Sequence, residues 1–387
     1  MTDALVFLTS ITLLLVAGLI SVYLSKKTKF PLPLFLFATG AILGKLFYAG
    51  RPLVILGGSF LSSFSIIALL MVVFDATSRL RFTNWDNSMK ESFAFFLLSL
   101  ILNLIAVSYV AKFVFGLQWF VVILLSVMIS CVEYAAIFSH NHTPNNKIAQ
   151  FLKDESNVSC ATMLVAPFLI LTFMESVTIP LQANSFSQLI SFFVNFFGGF
   201  GIGVIVSLLL FKMLYSIKVD KTISIVYVLA VLLAYILAER IDGNGLVAVA
   251  TLGLIYANVF LKQKATMESH LHKLYSMFEL FLFTIVGLVV GIPVSFFFFR
   301  MSLGLFVVYL IVRFISAQLT LRNCDFEEKM EIALFVPKGL ATITIAFALL
   351  NYTFIGNVLL VQLLISFFVY SLIFDTILDK IGFYKHR

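Results

Sequence analysis

Charge is scarce in this sequence of 387 residues: 12% are Asp, Glu, Lys or Arg, where an ordinary soluble domain has about a quarter. A water-facing surface proportionate to the length cannot be made from so few charges, so a soluble domain is excluded. Cysteine is also rare. Cys131, Cys160 and Cys324 form no metal or redox spacing, and two of them sit inside apolar runs, which argues against a disulfide framework. No long polar stretch separates the apolar runs, leaving no room for a nucleotide-binding or regulatory domain. A net charge of +7 would suit nucleic acid only if the basic residues formed a surface patch. They lie instead between apolar segments, and nucleic acid is not an expected partner. No nucleophile-and-base pair or metal-ligand cluster stands near a loop, so neither an enzyme nor a resident cofactor is expected.

What fills the sequence is hydrocarbon: 61% of residues are hydrophobic, 44 are Phe and the mean hydropathy is +1.08. Runs long enough to cross ~30 Å of lipid core fall near 4–24, 31–48, 53–77, 92–115, 118–140, 154–178, 185–216, 222–239, 244–261, 273–292, 295–315, 329–350 and 353–377. These thirteen spans predict an all-α polytopic membrane protein forming a single membrane domain over 1–387. The first run lacks a charged leader and is long enough to span, so no cleavable signal peptide is expected.

Twenty of the 26 Lys and Arg fall on alternate connections, among them SKKTK, SRLRFTNWDNSMK and the final DKIGFYKHR. Lys45, Arg51, Lys112, Arg240 and Arg300 fall on the other face, and Lys338 lies inside a span. Basic residues stay on the cytoplasmic side, which predicts an outside amino terminus and a cytoplasmic carboxyl terminus, and the cell (plasma) membrane is the expected location. The odd count also permits two six-span halves, 1–180 and 221–387, inverted about a linker span at 181–220. The fifth span then corresponds to the twelfth.

Those two spans carry buried charge. Glu133, in SCVEYAAIFS, sits deep in the fifth, where a carboxylate is costly unless it is paired or used. Read functionally, it trades a proton for a cation; read structurally, it is half of an ion pair. Lys338, in FVPKGLATITIAFALL, is flanked by Pro337 and Gly339, which suggests a broken helix, and its blandest role is to neutralise a buried carboxylate. Glu155 opens the sixth span beside Asp154, itself an ordinary first-turn acid, and is a candidate partner for Lys338. Asp75 reads as an interfacial acid balancing Arg79 and Arg81, and Glu279 has a similar structural reading. Charges on both corresponding spans make a crossed pair of interrupted helices a concrete expectation, each half-helix dipole compensated by one of them.

With those residues in view, the chain resembles the monovalent cation/proton antiporter superfamily, the sodium/proton exchangers. SCVEYAAIFS resembles the family's Ser/Thr-Asp-Pro-Ala-Ala-Val core, FLKDESNVSCATML its Leu-Glu-Gly-Glu-Ser-x-x-Asn-Asp segment, and FVPKGLATITIAFAL its Arg/Lys-Gly segment. The resemblance implies a homodimer in which a six-helix core moves against a fixed dimerisation domain. It also implies that Glu133 takes the place of the ion-binding Asp, with Val132 before it, and that Glu155 pairs with Lys338. The sequence departs from the pattern at Ser159 and Cys160, where the family has a second carboxylate, and at Tyr134, where it has Pro. Sulfur is a poor ligand for a hard cation.

The resulting expectation is exchange of a proton for sodium or potassium, with Glu133 as the shared ligand. Ser159, Thr162 and the backbone around Ser130 and Val132 would supply further oxygens, and Cys160 would stand where the missing Asp would be. One carboxylate exchanging one proton for one monovalent ion moves no net charge, so electroneutral exchange is predicted. Two alternatives stay open: a non-transporting scaffold or sensor, and a sodium-coupled solute symporter.

Overall fold

The computed structural model describes residues 3–48, 50–82, 87–134, 146–178, 185–216, 223–259, 278–291, 295–322 and 324–383. Outside them lie 135–140 of the fifth expected span, 273–277 of the tenth, and most of the basic connections at 140–145, 217–222 and 260–277. Among the described residues the protein is helical but for a two-residue β-ladder, in which β1 (Phe47–Tyr48) pairs antiparallel with β2 (Arg51–Pro52). The chain divides into two compact units, one of Met1–Ile66, Asn87–Ser156 and Ser276–Arg387 and one of Ile67–Asp86 and Asn157–Tyr275.

The first unit begins with α1 (Asp3–Thr28) and α2 (Leu32–Leu43), which pack on each other. It takes in the start of α3 (Gly58–Ser78), then α4 (Asn87–Phe115), α5 (Trp119–Ile129) and the start of α6 (Asn146–Thr178). A tenth-span helix (Phe278–Val289), numbered α10 below, follows later in the chain and crosses α2 at very short range. A Cβ at Gly40 would stand 2.1 Å from the Thr284 carbonyl oxygen, and one at Gly287 2.2 Å from that of Phe37, so only glycine permits this approach. At the start of α5, Lys112 Nζ lies 5.8 Å from the centre of the Trp119 ring.

The second unit holds the rest of α3 and α6 together with α7 (Ser185–Ser216), α8 (Ile223–Arg240) and α9 (Gly245–Val259), in which α7 packs on both α8 and α9. Phe74 of α3 tilts against Tyr227 and Tyr256, whose rings meet edge to face at 4.9 Å. Asn258 closes the end of α9 by accepting the Phe82 N–H at 2.8 Å and donating to the Leu80 carbonyl at 3.1 Å. Asp75 is paired with Arg79 one turn on, at 2.5 Å, as its interfacial reading anticipates.

Back in the first unit, α11 (Phe296–Thr320) packs on α4, and the twelfth span follows in two pieces, α12 (Phe326–Leu334) and α13 (Leu340–Leu349). Asp325 and Glu328 start α12 with a reciprocal capping box, and residues 335–339 are not helical. Pro337 cannot donate to a helix and pushes the residue before it toward extended backbone, while Gly339 takes φ −143°, ψ −132° at the cap of α13. The last helix, α14 (Asn357–Ile381), packs against α13 and α5. The fifth span is also interrupted, since α5 stops at Ile129 and 130–134 are not helical.

One expectation about boundaries is corrected. The helix that carries the sixth span starts at Asn146, so Asp154 and Glu155 lie in the third turn of α6 and not at its dipole end. Lys147, Gln150 and Lys153 give this first stretch the composition of a loop. Its apolar residues Ile148, Phe151 and Leu152 are buried against Phe95, Leu321 and Phe335, and that packing makes it a helix.

Candidate functional site

The break in the fifth span contains neither Pro nor Gly, and nothing local compels it. Its backbone is held by groups from elsewhere in the sequence. Lys338 Nζ donates to the carbonyl oxygens of Ile129 and Cys131, and the Glu133 N–H donates to the Pro337 carbonyl at 2.9 Å. The Tyr134 N–H donates to Ser156 Oγ at 3.0 Å, and Ser130 Oγ accepts from Asn103 Nδ2 at 3.0 Å. Every backbone group that leaves a helix inside a membrane needs such a partner.

Glu133 sits where the fifth-span break meets that of the twelfth and is half-buried. Its Oε1 accepts the N–H groups of Gly339, Ala341 and Thr342 at 3.1, 2.7 and 3.4 Å, the unpaired donors at the start of α13. The carboxylate thereby answers the positive end of the α13 dipole, while the Lys338 ammonium answers the negative end of α5. Lys338 is fully buried, with its ammonium 2.7 Å from Tyr309 Oη and 4.5 Å from the centre of that ring. Its own N–H donates to Ser371 Oγ at 3.1 Å.

The pairing expected between Glu155 and Lys338 is not the one present. Glu155 takes a bidentate ion pair from Arg313 of α11, with Nη1 to Oε1 at 2.6 Å and Nη2 to Oε2 at 3.2 Å, and both side chains are 1% exposed. Arg313 suits this role better, because its planar fork meets both carboxylate oxygens and still reaches the Ile332, Ala333 and Phe335 carbonyls at 3.2 to 3.3 Å. It therefore ties α6 to the free carbonyls at the end of α12. Asp154 accepts from Ser88 Oγ at 3.0 Å and from Gln150 Nε2 at 3.2 Å.

The family model for the transmembrane sodium/hydrogen exchanger matches residues 11–380. The chain belongs to the sodium/hydrogen exchanger family. Among solved structures this exchanger is similar to the sodium proton antiporter MjNhaP1 from Methanocaldococcus jannaschii at pH 8, with a TM-score of 0.75 and 17% identity, over 98% of this chain and 99% of that one. Forty-nine solved chains match in all. No curated protein matches the sequence. The exchanger is thus an integral membrane transporter of the cation/proton antiporter class with a sodium/proton antiporter fold.

The exchanger's other expected site residues divide by unit. Ser130 and Val132, both buried, belong to the break that carries Glu133. Ser159 and Cys160 are buried and Thr162 is exposed, on the stretch of α6 that belongs to the second unit. The Thr162 hydroxyl donates to the Val158 carbonyl at 2.8 Å.

Four participants escaped the sequence reading. Arg313 looked like a span-end cation, and Tyr309 and Ser371 carry no signal apart from polarity in an apolar run. Asp375 is fully buried in α14 and accepts the Val336 N–H at 3.4 Å within the twelfth-span break, although an acid in the last span was a legible sign. Glu279, read as structural, stands half-buried on α10.

Proposed function

We propose that this protein exchanges protons for a monovalent cation, sodium or potassium, by alternating access, with Glu133 as the group that carries either one. The observation that supports this reading most is the position of Glu133. Its half-buried carboxylate lies on the fifth-span break and reaches across to the twelfth, with one oxygen held by three backbone amides and the other free of those bonds. Held this way, the carboxylate crosses as a neutral acid or as an ion pair with a bound cation, and the bare anion is disfavoured in hydrocarbon. One cation for one proton leaves the exchange electroneutral. The Glu155 to Arg313 pair and Lys338 position the crossing and take no part in exchange.

The proposal extends to Ser130 and Val132 through the backbone, and to Ser159, Cys160 and Thr162 at the positions that the family resemblance implies. It places the protein in the cell membrane as a homodimer, with its amino terminus outside and its carboxyl terminus in the cytoplasm, in keeping with the run of basic connections. No resident cofactor enters the scheme.

A second reading, a scaffold or sensor that does not transport, draws support from the same carboxylate, since capping α13 is a structural role sufficient to retain it. The two readings part in sealed vesicles loaded with purified protein. A pulse of sodium, potassium or lithium drives proton efflux in the wild type, and Glu133→Gln, whose amide oxygen still caps α13, removes that efflux while leaving thermal stability within about 1 kcal/mol of wild type. Equal silence in wild type and variant across every cation would leave the scaffold reading standing.

A further inference from the structure

Thr342 stands out among the helical threonines of this protein. Thr284, Thr320, Thr344 and Thr376 each turn the hydroxyl back to the carbonyl four residues earlier, at 2.6 to 2.7 Å. Thr342 cannot follow them, because the residue four earlier is Lys338, which lies in the break before α13 begins. Its N–H is instead directed to Glu133. Its hydroxyl, on a residue 1% exposed, has no hydrogen-bond partner among the described residues. Buried hydroxyls are rarely left so, and one that is points to a ligand or an ordered water.

The surroundings favour a cation. In a helix the Cα–Cβ bond tilts toward the amino-terminal end, so a first-turn side chain projects over the end of α13 that Glu133 occupies. Glu133 offers Oε2 there, because Oε1 receives the three amides. Phe278 of α10 stacks on Phe64, which tilts against Phe347 of α13, so the half-buried Glu279 next to Phe278 belongs to the same packed neighbourhood. Hydroxyl and carboxylate oxygens are the ligands that hard cations select.

We infer that Thr342 Oγ is a ligand of the transported cation, contributed together with Glu133 Oε2 from the first unit. This rests on the exchanger reading above and deepens it. It adds an oxygen from the twelfth span to a chain that has Cys160 in place of the family's sixth-span carboxylate. The ligand class is a dehydrated monovalent cation.

The test compares Thr342→Val, which keeps the shape and removes the oxygen, with Thr342→Ser, which keeps the oxygen, in cation-driven proton flux. The expected result is a cation KM raised at least roughly tenfold in the Val variant, with kcat changed little and the Ser variant close to wild type, the pattern of a lost ground-state ligand. An unchanged KM and unchanged order of sodium, lithium and potassium would overturn the inference and leave exchange intact, with an ordered water as the hydroxyl's partner. If the Val variant does not fold, Thr342→Ala against Thr342→Ser gives the same comparison. If wild type exchanges no cation, the exchanger reading fails by itself, and retention of radioactive sodium by the detergent-purified protein decides the site. Binding that the Val variant loses supports it, and wild type without binding overturns it.

Discussion

Arg313 and Lys338 show how two buried cations in one unit divide the work. Arg313 faces a full counter-charge and three carbonyls, whereas Lys338 faces carbonyls and a phenol, with no carboxylate hydrogen-bonded to its ammonium among the described residues. Removing Arg313 strands Glu155 in a site that is 1% exposed. Arg313→Ala is therefore expected to destabilise the purified protein by about 3–5 kcal/mol, measured as thermal unfolding in detergent. The double variant with Glu155→Ala should recover part of that loss, since the uncompensated charge goes with it. Strict additivity of the two single losses would sink the pairing account. Which cation meets Glu155 was hidden in the sequence. Both candidates lie on late spans, and the choice depends on the rotation of α11 about its axis, a property of packing and not of residue type.

The two breaks differ in how far they could be read. In the twelfth span, Pro337 and Gly339 announce an interruption directly. In the fifth, SCVEY has no helix breaker, and only the cost of a lone carboxylate in lipid and the counting of spans pointed to one. The long polar lead of α6 was illegible for the opposite reason, since its charged residues mask an apolar stripe that is buried against α4 and α11. If tertiary contacts and not Pro337 maintain the crossing, Pro337→Ala should leave exchange largely intact, because the Glu133 and Lys338 bonds to the opposing span remain. Lys338→Met, which leaves the Ile129 and Cys131 carbonyls without their buried donor, should cost about 1–3 kcal/mol for each in thermal unfolding. A Pro337→Ala variant that loses exchange while Lys338→Met keeps it would reverse this ranking.

For the molecule as a whole, the proposed scheme lets a single exchanging carboxylate set the electrical behaviour. Moving one net charge across 100 mV is worth about 2.3 kcal/mol, roughly a 50-fold bias in equilibrium. The proposed one-for-one exchange moves none. Flux in vesicles clamped at opposite potentials is accordingly expected to agree within about twofold, and a rate that follows potential on the scale of one charge per cycle would rule the scheme out. The crossing also has a history during synthesis. Residues 130–134 emerge before Ser156 and long before Tyr309, Lys338 and the amides of α13, which are the groups that later hold them open or brace those that do. Until those arrive, unpaired backbone in hydrocarbon is too costly, and the fifth span is best satisfied as one continuous helix. Its unwinding is thus a late event of assembly: the nascent chain inserts a plain helix, and the ion-handling bend is written into it only after the twelfth span has been made.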